Sequence, residues 1–367
     1  MTSIIYVGMD VHTTNYTLCC YSMEDDRFFA EVQVEPDAKN ILKYLARIEK
    51  QQSRDCRIVC GYEAGCLGYS LYHQLHAHGI DCVILAPTTM MTKPGKRIKT
   101  DRRDARLISK CLAFHTYSPV YIPTEVDDAV KEYIRMRDDA NSALARVKQQ
   151  IIAFCIRHGK IHDGKSYWTN KHLEWLSSLD LGNKILSEVL QEYLIRYYQL
   201  REQVDMYDMR INELAQAEPY RQKVEKLSCF RGIAAHTALS FCVEVGDFRR
   251  FATAQQFASY LGLVPGECSS GDKQQYTGIT KAGNSHLRKL LVETAQVFGR
   301  SATKSGKSVA LKERQAKCDS LTVAYADKAN ARLKKKYFKI AMRSKVNIAK
   351  TAVAREMACF IWGMMTD

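Results

Sequence analysis

No run of eighteen apolar residues occurs in this 367-residue chain, so no segment reads as a membrane-crossing helix. The start, Met1 to Val11, lacks the charged stretch and small-residue cleavage site of a signal peptide, and a cytoplasmic location is expected. The 13 cysteines form no even, regular framework, and a chain of this size needs no staples, so they read as reduced thiols. Cys155, His158 and His162 have a spacing that zinc could tolerate but lack a fourth partner nearby, which favours plain helix-face residues. Acidic residues are also short: 40 Asp and Glu face 54 Lys and Arg, a net charge of +14. With 46% hydrophobic and 26% charged residues, disorder and collagen are excluded. At roughly 100–200 residues per domain the length allows two to three domains. The basic excess calls for a polyanion, nucleic acid first and an anionic membrane surface second.

The excess is local. From Lys281 to Asp367 there are 19 basic and 6 acidic residues, almost the whole imbalance. Thr92 to Lys110 adds a second focus, eight Lys and Arg against two Asp. Runs such as Lys334-Lys335-Lys336 could be a solvated helix face, but concentration in one segment favours a phosphate-binding surface. Neither focus is paired with an apolar face suited to lipid, so a membrane partner loses ground.

Ile4 to Met9, Thr17 to Ser22 and Phe28 to Val34 read as three antiparallel strands. A helix over Asp37 to Lys50, a strand over Arg57 to Tyr62, a helix over Cys66 to His78 and a strand over Asp81 to Leu85 follow. Pro87 to Lys99 reads as a loop, with Thr100 as N-cap of a helix from Asp101 to about Phe114. This βββαβαβ order is that of an RNase H-like domain. The fold class is therefore α/β plus α, because beyond Pro123 the chain turns helical. Leu186, Leu190, Tyr193, Tyr197, Leu200, Val204, Tyr207, Ile211 and Leu214 alternate spacings of four and three, which predicts a long coiled-coil-like helix ended by Pro219. Its partner is either the preceding helix or a second copy. A turn at Phe230-Arg231-Gly232-Ile233-Ala234 before an apolar helix from His236 to Val245 fits a helix-hairpin-helix or a plain αα-hairpin. Leu261 to Lys281 reads as a loop, and Asn284 onward as mostly basic helix.

Asp10 ends the first strand and Glu63 the fourth, strands that are neighbours in the RNase H order, so both carboxylates point into one cleft. Asp101 and Asp104, three apart at a helix start, share a face and could close the same cleft; serving the helix dipole is their bland alternative. Four converging carboxylates cannot all stay ionised without cations, and hard divalent ions with oxygen ligands answer this. Two Mg²⁺ about 3.5–4 Å apart are the known arrangement for in-line phosphoryl transfer.

Gly8-Met9-Asp10, Tyr62-Glu63-Ala64 and Lys99-Thr100-Asp101-Arg102-Arg103-Asp104-Ala105 carry a resemblance. So do Gly262-Leu263-Val264-Pro265, Ser269-Ser270-Gly271 and Thr280-Lys281-Ala282-Gly283-Asn284-Ser285-His286-Leu287-Arg288. Together they resemble the DEDD transposases of the Piv/MooV class, the IS one-ten family of bacterial insertion sequences, over nearly the whole chain. The resemblance implies a RuvC-like metal-binding domain at 1–118, a helical coiled-coil region at 119–220 and a C-terminal transposase domain at 221–367. It further implies a bacterial recombinase that is guided by a structured non-coding bridge RNA, binds Mg²⁺ through the four acids, and attacks DNA through a serine. That serine falls on Ser270, with Ser269 as the alternative and a flexible turn as the bland reading of the stretch.

A serine ester keeps the energy of the broken phosphodiester for rejoining, whereas water attack loses it. The hydroxyl needs activation and no His lies in the motif, so the acid site is expected to supply it, in a composite site of both domains that could join different protomers of a dimer or tetramer. Lys281, Arg288 and Lys289 would contact donor or target DNA near the serine, with Arg97, Arg102 and Arg103 beside the acids. Residues 154–176 and 301–336 match no motif. Two other readings compete: a structure-selective endonuclease of the RuvC type using water, and a non-catalytic nucleic-acid scaffold.

Overall fold

Alternating apolar residues build the first sheet in the computed structural model, which describes residues 3–51, 56–65, 67–90, 100–267, 276–299 and 306–367, apart from the side chains of residues 88 and 276. Ser269, Ser270 and Arg97 lie outside the described residues. The chain divides into two units, residues 1–122 and 123–367.

In the first unit, β1 (Ser3–Val11), β2 (Tyr16–Ser22) and β3 (Arg27–Val34) are followed by α1 (Ala38–Gln51), β4 (Cys56–Glu63), α2 (Ser70–Ala77), β5 (Asp81–Leu85) and α3 (Asp101–Ala113). The sheet order is β3-β2-β1-β4-β5. β1 runs antiparallel to β2 and parallel to β4. The expected order is borne out and is consistent with an RNase H-like domain. Two local expectations are corrected. α2 begins at Ser70 and not at the Cys66 expected, because Gly68 just before it has φ +57°, outside the helical region. Thr100 holds the N-cap position of α3 without a side-chain cap bond.

Strand alternation puts Ile5, Val7 and Met9 into a core with Ile41 and Leu45 of α1 and Leu75 of α2. Tyr6, Tyr21 and Leu85 face the other way, with Ile108 and Leu112 of α3. On that second face Gly8 and Gly61 are register partners. A Cβ at Gly8 would lie 2.0 Å from the Ala105 carbonyl oxygen, and one at Gly61 would lie 2.8 Å from Leu112 Cδ2. Two bare glycines side by side thus let α3 lie directly on the sheet.

In the second unit α4 (Glu125–Arg157) and α6 (Lys184–Gln216) are each 33 residues long. The start of α4 (Val130, Ile134) shares a core with the end of α6 (Ile211, Ala215), and the end of α4 (Val147, Ile151) with the earlier part of α6 (Leu190, Tyr197), so the pair is antiparallel. Leu190, Tyr197, Val204 and Ile211 of the expected heptad are buried. The predicted seam is real, and the preceding helix of the same chain packs along it. α5 (Asn170–Ser177) closes the far end of this hairpin.

The rest of the unit comprises α7 (Arg221–Ser228), α8 (Ala235–Val245), α9 (Ala254–Tyr260), β6 (Pro265–Glu267), β7 (Tyr276–Ile279), α10 (Ser285–Ala295), α11 (Val309–Gln315), α12 (Ser320–Ala341) and α13 (Val346–Thr366). The stretch read as a loop from Leu261 to Lys281 therefore carries an antiparallel pair, β6 with β7. Strands of three and four residues are too short for an alternation to show in the sequence. α13 likewise departs from the basic-helix expectation. Ala349, Val353, Ala354, Met357, Ala358 and Ile361 are fully buried, and it is a core helix.

Candidate active site

The two glycines that seat α3 also aim the acids. Asp10 and Glu63 each follow their glycine by two residues, so both stand on the α3 face at the carboxyl ends of neighbouring parallel strands. α3 starts at Asp101 and has Asp101 and Asp104 in its first turn. One ligand atom each of Asp10, His12 and Asp101 lie within 4.8 Å of one another. His12 Nε2 is 3.2 Å from Asp10 Oδ2. Burial raises the Asp10 carboxyl above its ordinary pKa, His12 opposes the rise, and Asp104 and Asp101 add to it. The exposed Glu63 stands outside that three-residue group.

Crowded carboxylates at the end of a parallel sheet, one of them held above its usual range by burial and further by like charges, form a donor set that a hard divalent cation suits. Asp10 and Asp101 could offer oxygens and His12 a nitrogen, with Asp104 in the same first turn of α3. Sequence reasoning missed His12. Its signal was its position two residues after Asp10, on the same face of an extending strand, and its backbone N–H is fixed by the Asn15 carbonyl.

The basic candidates are placed unequally. The Arg102 and Arg106 side chains pair with Glu31, at 3.3 and 2.7 Å. Arg102 and Arg103 are exposed at the start of α3. Lys281 is exposed, with φ +57° and its backbone N–H on the Gly262 carbonyl. Arg288 spends its guanidinium on the Leu261 and Ala282 carbonyls, at 2.9 and 3.2 Å, and so braces a loop. The exposed Lys289 lines a polar cavity of about 290 Å³ together with Arg137, Asn141 and His236.

Arg288 braces the base of the β6–β7 pair. There Tyr260–Val264 runs against Thr280–Asn284, with Thr280 N–H on the Val264 carbonyl at 2.9 Å. A Cβ at Gly262 (φ +64°) would lie 2.1 Å from the Ala282 oxygen, and one at Gly283 (φ +76°) 2.1 Å from the Tyr260 oxygen. Asn284 caps α10 through the Leu287 N–H at 3.0 Å, and its amide donates to Glu244.

Glu244, on α8, is only 3% exposed. It also receives His286 Nδ1 at 2.6 Å, while His286 Nε2 reaches Asp138 of α4 at 2.7 Å. Arg137 and His236 add to Asp138 at 3.1 and 3.0 Å. Burial would lower the His286 pKa, yet its bonds to Asp138 and Glu244 outweigh that and hold it at about 9. Against their own burial, Asp138 is held well below the usual carboxylate range by its bonds from His236 and His286, and Glu244 below it by His286 and Asn284. His286 is thus an imidazolium clamped between two carboxylates. Both its nitrogens are committed.

Two family models and several transposases match this chain. A DEDD-type transposase model of the IS110 group, described as Transposase, matches residues 7–156. A second, described as Transposase IS116/IS110/IS902 family, matches residues 224–314. The putative transposase y4qE of Sinorhizobium fredii is 36% identical over 307 residues, covering 83% of this chain and 75% of that protein. The transposase for insertion sequence element IS1533 of Leptospira borgpetersenii is 32% identical over 340 residues, 91% of this chain and 95% of that one. The transposase for IS1111A of Coxiella burnetii is 26% identical over 268 residues, 70% and 71% of the two chains.

Proposed function

The chain belongs to the IS110 family of insertion-sequence transposases, and from that premise we propose how it cuts and rejoins DNA. Ser270 Oγ attacks a phosphodiester phosphorus. The Oγ–P bond forms as the bond to the leaving sugar oxygen breaks, Oγ gives up its proton and the leaving oxygen gains one. A sugar hydroxyl of a second strand then attacks the same phosphorus and releases Ser270, so bond energy is carried across and no water is consumed.

Asp10, Asp101 and Asp104, with Glu63 at the adjoining strand end, are the residues that would hold Mg²⁺, which when bound neutralises phosphate charge and polarises the scissile bond. Arg97, Arg102, Arg103, Lys281 and Lys289 would hold the backbones of donor and target duplexes through sequence-independent contacts. The family resemblance adds guidance by a bridge RNA and assembly as a dimer or tetramer in the bacterial cytoplasm. A strongly basic chain without a recognisable base-reading module suits recognition by RNA pairing. Among the described residues no helix is long and apolar enough to cross a membrane.

The observation that carries this reading is the gathering of Asp10, His12 and Asp101 where α3 lies on Gly8 and Gly61. Strand exchange between donor and target plasmids, supplied with the element's flanking transcript, tests it. Asp10→Ala and Ser270→Ala each abolish exchange. Full exchange by either variant overturns the reading, and cleavage by Ser270→Ala with water as acceptor favours the nuclease alternative.

A further inference from the structure

The chain from Phe154 to Leu176, which no transposase motif explains, folds into an aromatic cap over the far end of the α4–α6 hairpin. His162 lies 5.0 Å from Trp175 and 4.8 Å from His172, ring centre to centre, and Tyr167 lies 5.0 Å from His172. These four rings line a cavity of about 130 Å³ with Cys155 and Leu176. Such a volume is close to the roughly 150 Å³ of cavities known to take a single six-membered ring.

A core would leave no polar group unanswered here, yet one is. His172 is 1% exposed, and its Nδ1 accepts the Trp168 N–H at 3.2 Å, which leaves the proton on Nε2. Among the described residues Nε2–H meets no hydrogen-bond acceptor, although the ring lines the cavity. The donor opens on the cavity, where a ligand carbonyl could accept from it.

The rim is as unusual as the floor. Ile156, Ile161 and Tyr167 are 57%, 67% and 44% exposed, so apolar and aromatic surface faces solvent. Lys160 lines the cavity, and Arg157, Lys165 and Lys171 belong to the same stretch of chain, in which Asp163 is the only acid from 157 to 171. None of these four cations has a carboxylate within ion-pair distance among the described residues. Exposed rings for stacking, unpaired cations for phosphates and one inward donor for a carbonyl are what an unstacked base requires.

We propose that this cap binds an unpaired pyrimidine of a nucleic-acid strand, the base entering the cavity with a carbonyl on His172 Nε2–H and its flanking phosphates on Lys160, Lys165 and Lys171. The cavity admits one ring, so purines are disfavoured. The site shares no residue with the acids or the serine motif, and it stands whether or not Ser270 is the nucleophile.

The probe is a short single-stranded oligonucleotide with one 5-iodouracil in a purine background, irradiated with the full-length protein and mapped by mass spectrometry. Crosslinks fall on His162, Tyr167 or Trp175. Replacing the pyrimidine with an abasic residue weakens binding on the order of tenfold, as expected for one lost stacked base. Tyr167→Ala, at an exposed ring that the fold does not need, produces the same loss and leaves nothing further for the abasic strand to lose. His172→Phe removes the donor and narrows the gap between pyrimidine and abasic strands. Crosslinks only outside 154–176, equal affinity for both strands, or a Tyr167→Ala effect on self-association alone would each overturn the proposal.

Discussion

Two regions of this protein use the same device, a pair of glycines where a side chain would collide with a packed neighbour, to opposite ends. At Gly8 and Gly61 the contact half-buries Asp10 close to Asp101 and Asp104, and the Asp10 carboxyl rises, through burial first and like charge second, against the pull of His12. At Gly262 and Gly283 it fastens the base of a hairpin beside Glu244, His286 and Asp138, where every charge is answered and the carboxyls fall. Unanswered charge marks where a cation and a phosphate belong; answered charge marks a brace. The proposed chemistry in one unit and the brace in the other therefore draw on the same residue types.

The contrast can be broken most sharply at Asp10. Asp10→Asn should lower strand cleavage by roughly 10³-fold, several kcal/mol of transition-state stabilisation, with the circular dichroism spectrum unchanged. Added Mg²⁺ should raise the melting temperature of the wild type and not of this variant; a rise in both would place the cation elsewhere.

His286→Ala tests the brace, because it leaves Glu244 and Asp138 without the cation between them. Breaking a buried pair costs about 3–5 kcal/mol, so chemical denaturation should show a large stability loss where Asp10→Asn shows little. The pH dependence has a definite sign. A histidine raised to about 9 contributes stability fully below its unfolded pKa near 6.5, and that contribution is lost as pH rises through about 9. The depressed Asp138 and Glu244 contribute above their unfolded values near 4 and lose it as pH falls. Stability of the wild type should thus decline between about pH 6.5 and 9, and that decline should be absent in His286→Gln.

Gly8→Ala should cost about 1–3 kcal/mol, since its Cβ meets the Ala105 carbonyl and α3 must lift. Cleavage should fall with it, because Asp101 and Asp104 ride on α3. A variant that kept full cleavage would show that the acids do not need this seat. Arg102→Ala should have the smallest effect, within about 1 kcal/mol on stability, because its ion pair with Glu31 is solvent-exposed. Its expected signature is a shallower salt dependence of DNA binding, read by titration at several ionic strengths.

Much of the first unit was legible in the sequence because its signals are local. Strand alternation and turn residues set the βββαβαβ order, and Asp10 and Glu63 sit at strand ends that can be read residue by residue. The brace was not legible. Asp138, Glu244 and His286 come from three helices spread over about 150 residues of chain, and only tertiary packing brings them into contact. His12 escaped notice because its approach to Asp10 depends on the turn to Asn15. The heptads of α6 announced a partner without saying which; Arg137 of α4, paired with Asp208 at 2.7 Å, shows how the chain answers itself.

The most direct test of the account is to trap the protein on DNA. Incubated with its element ends and Mg²⁺ and then denatured, the wild type should carry a nucleotide covalently on Ser270, and Asp10→Ala should carry almost none. Strand cleavage with no protein–DNA adduct, or an adduct formed equally by Asp10→Ala, would contradict it.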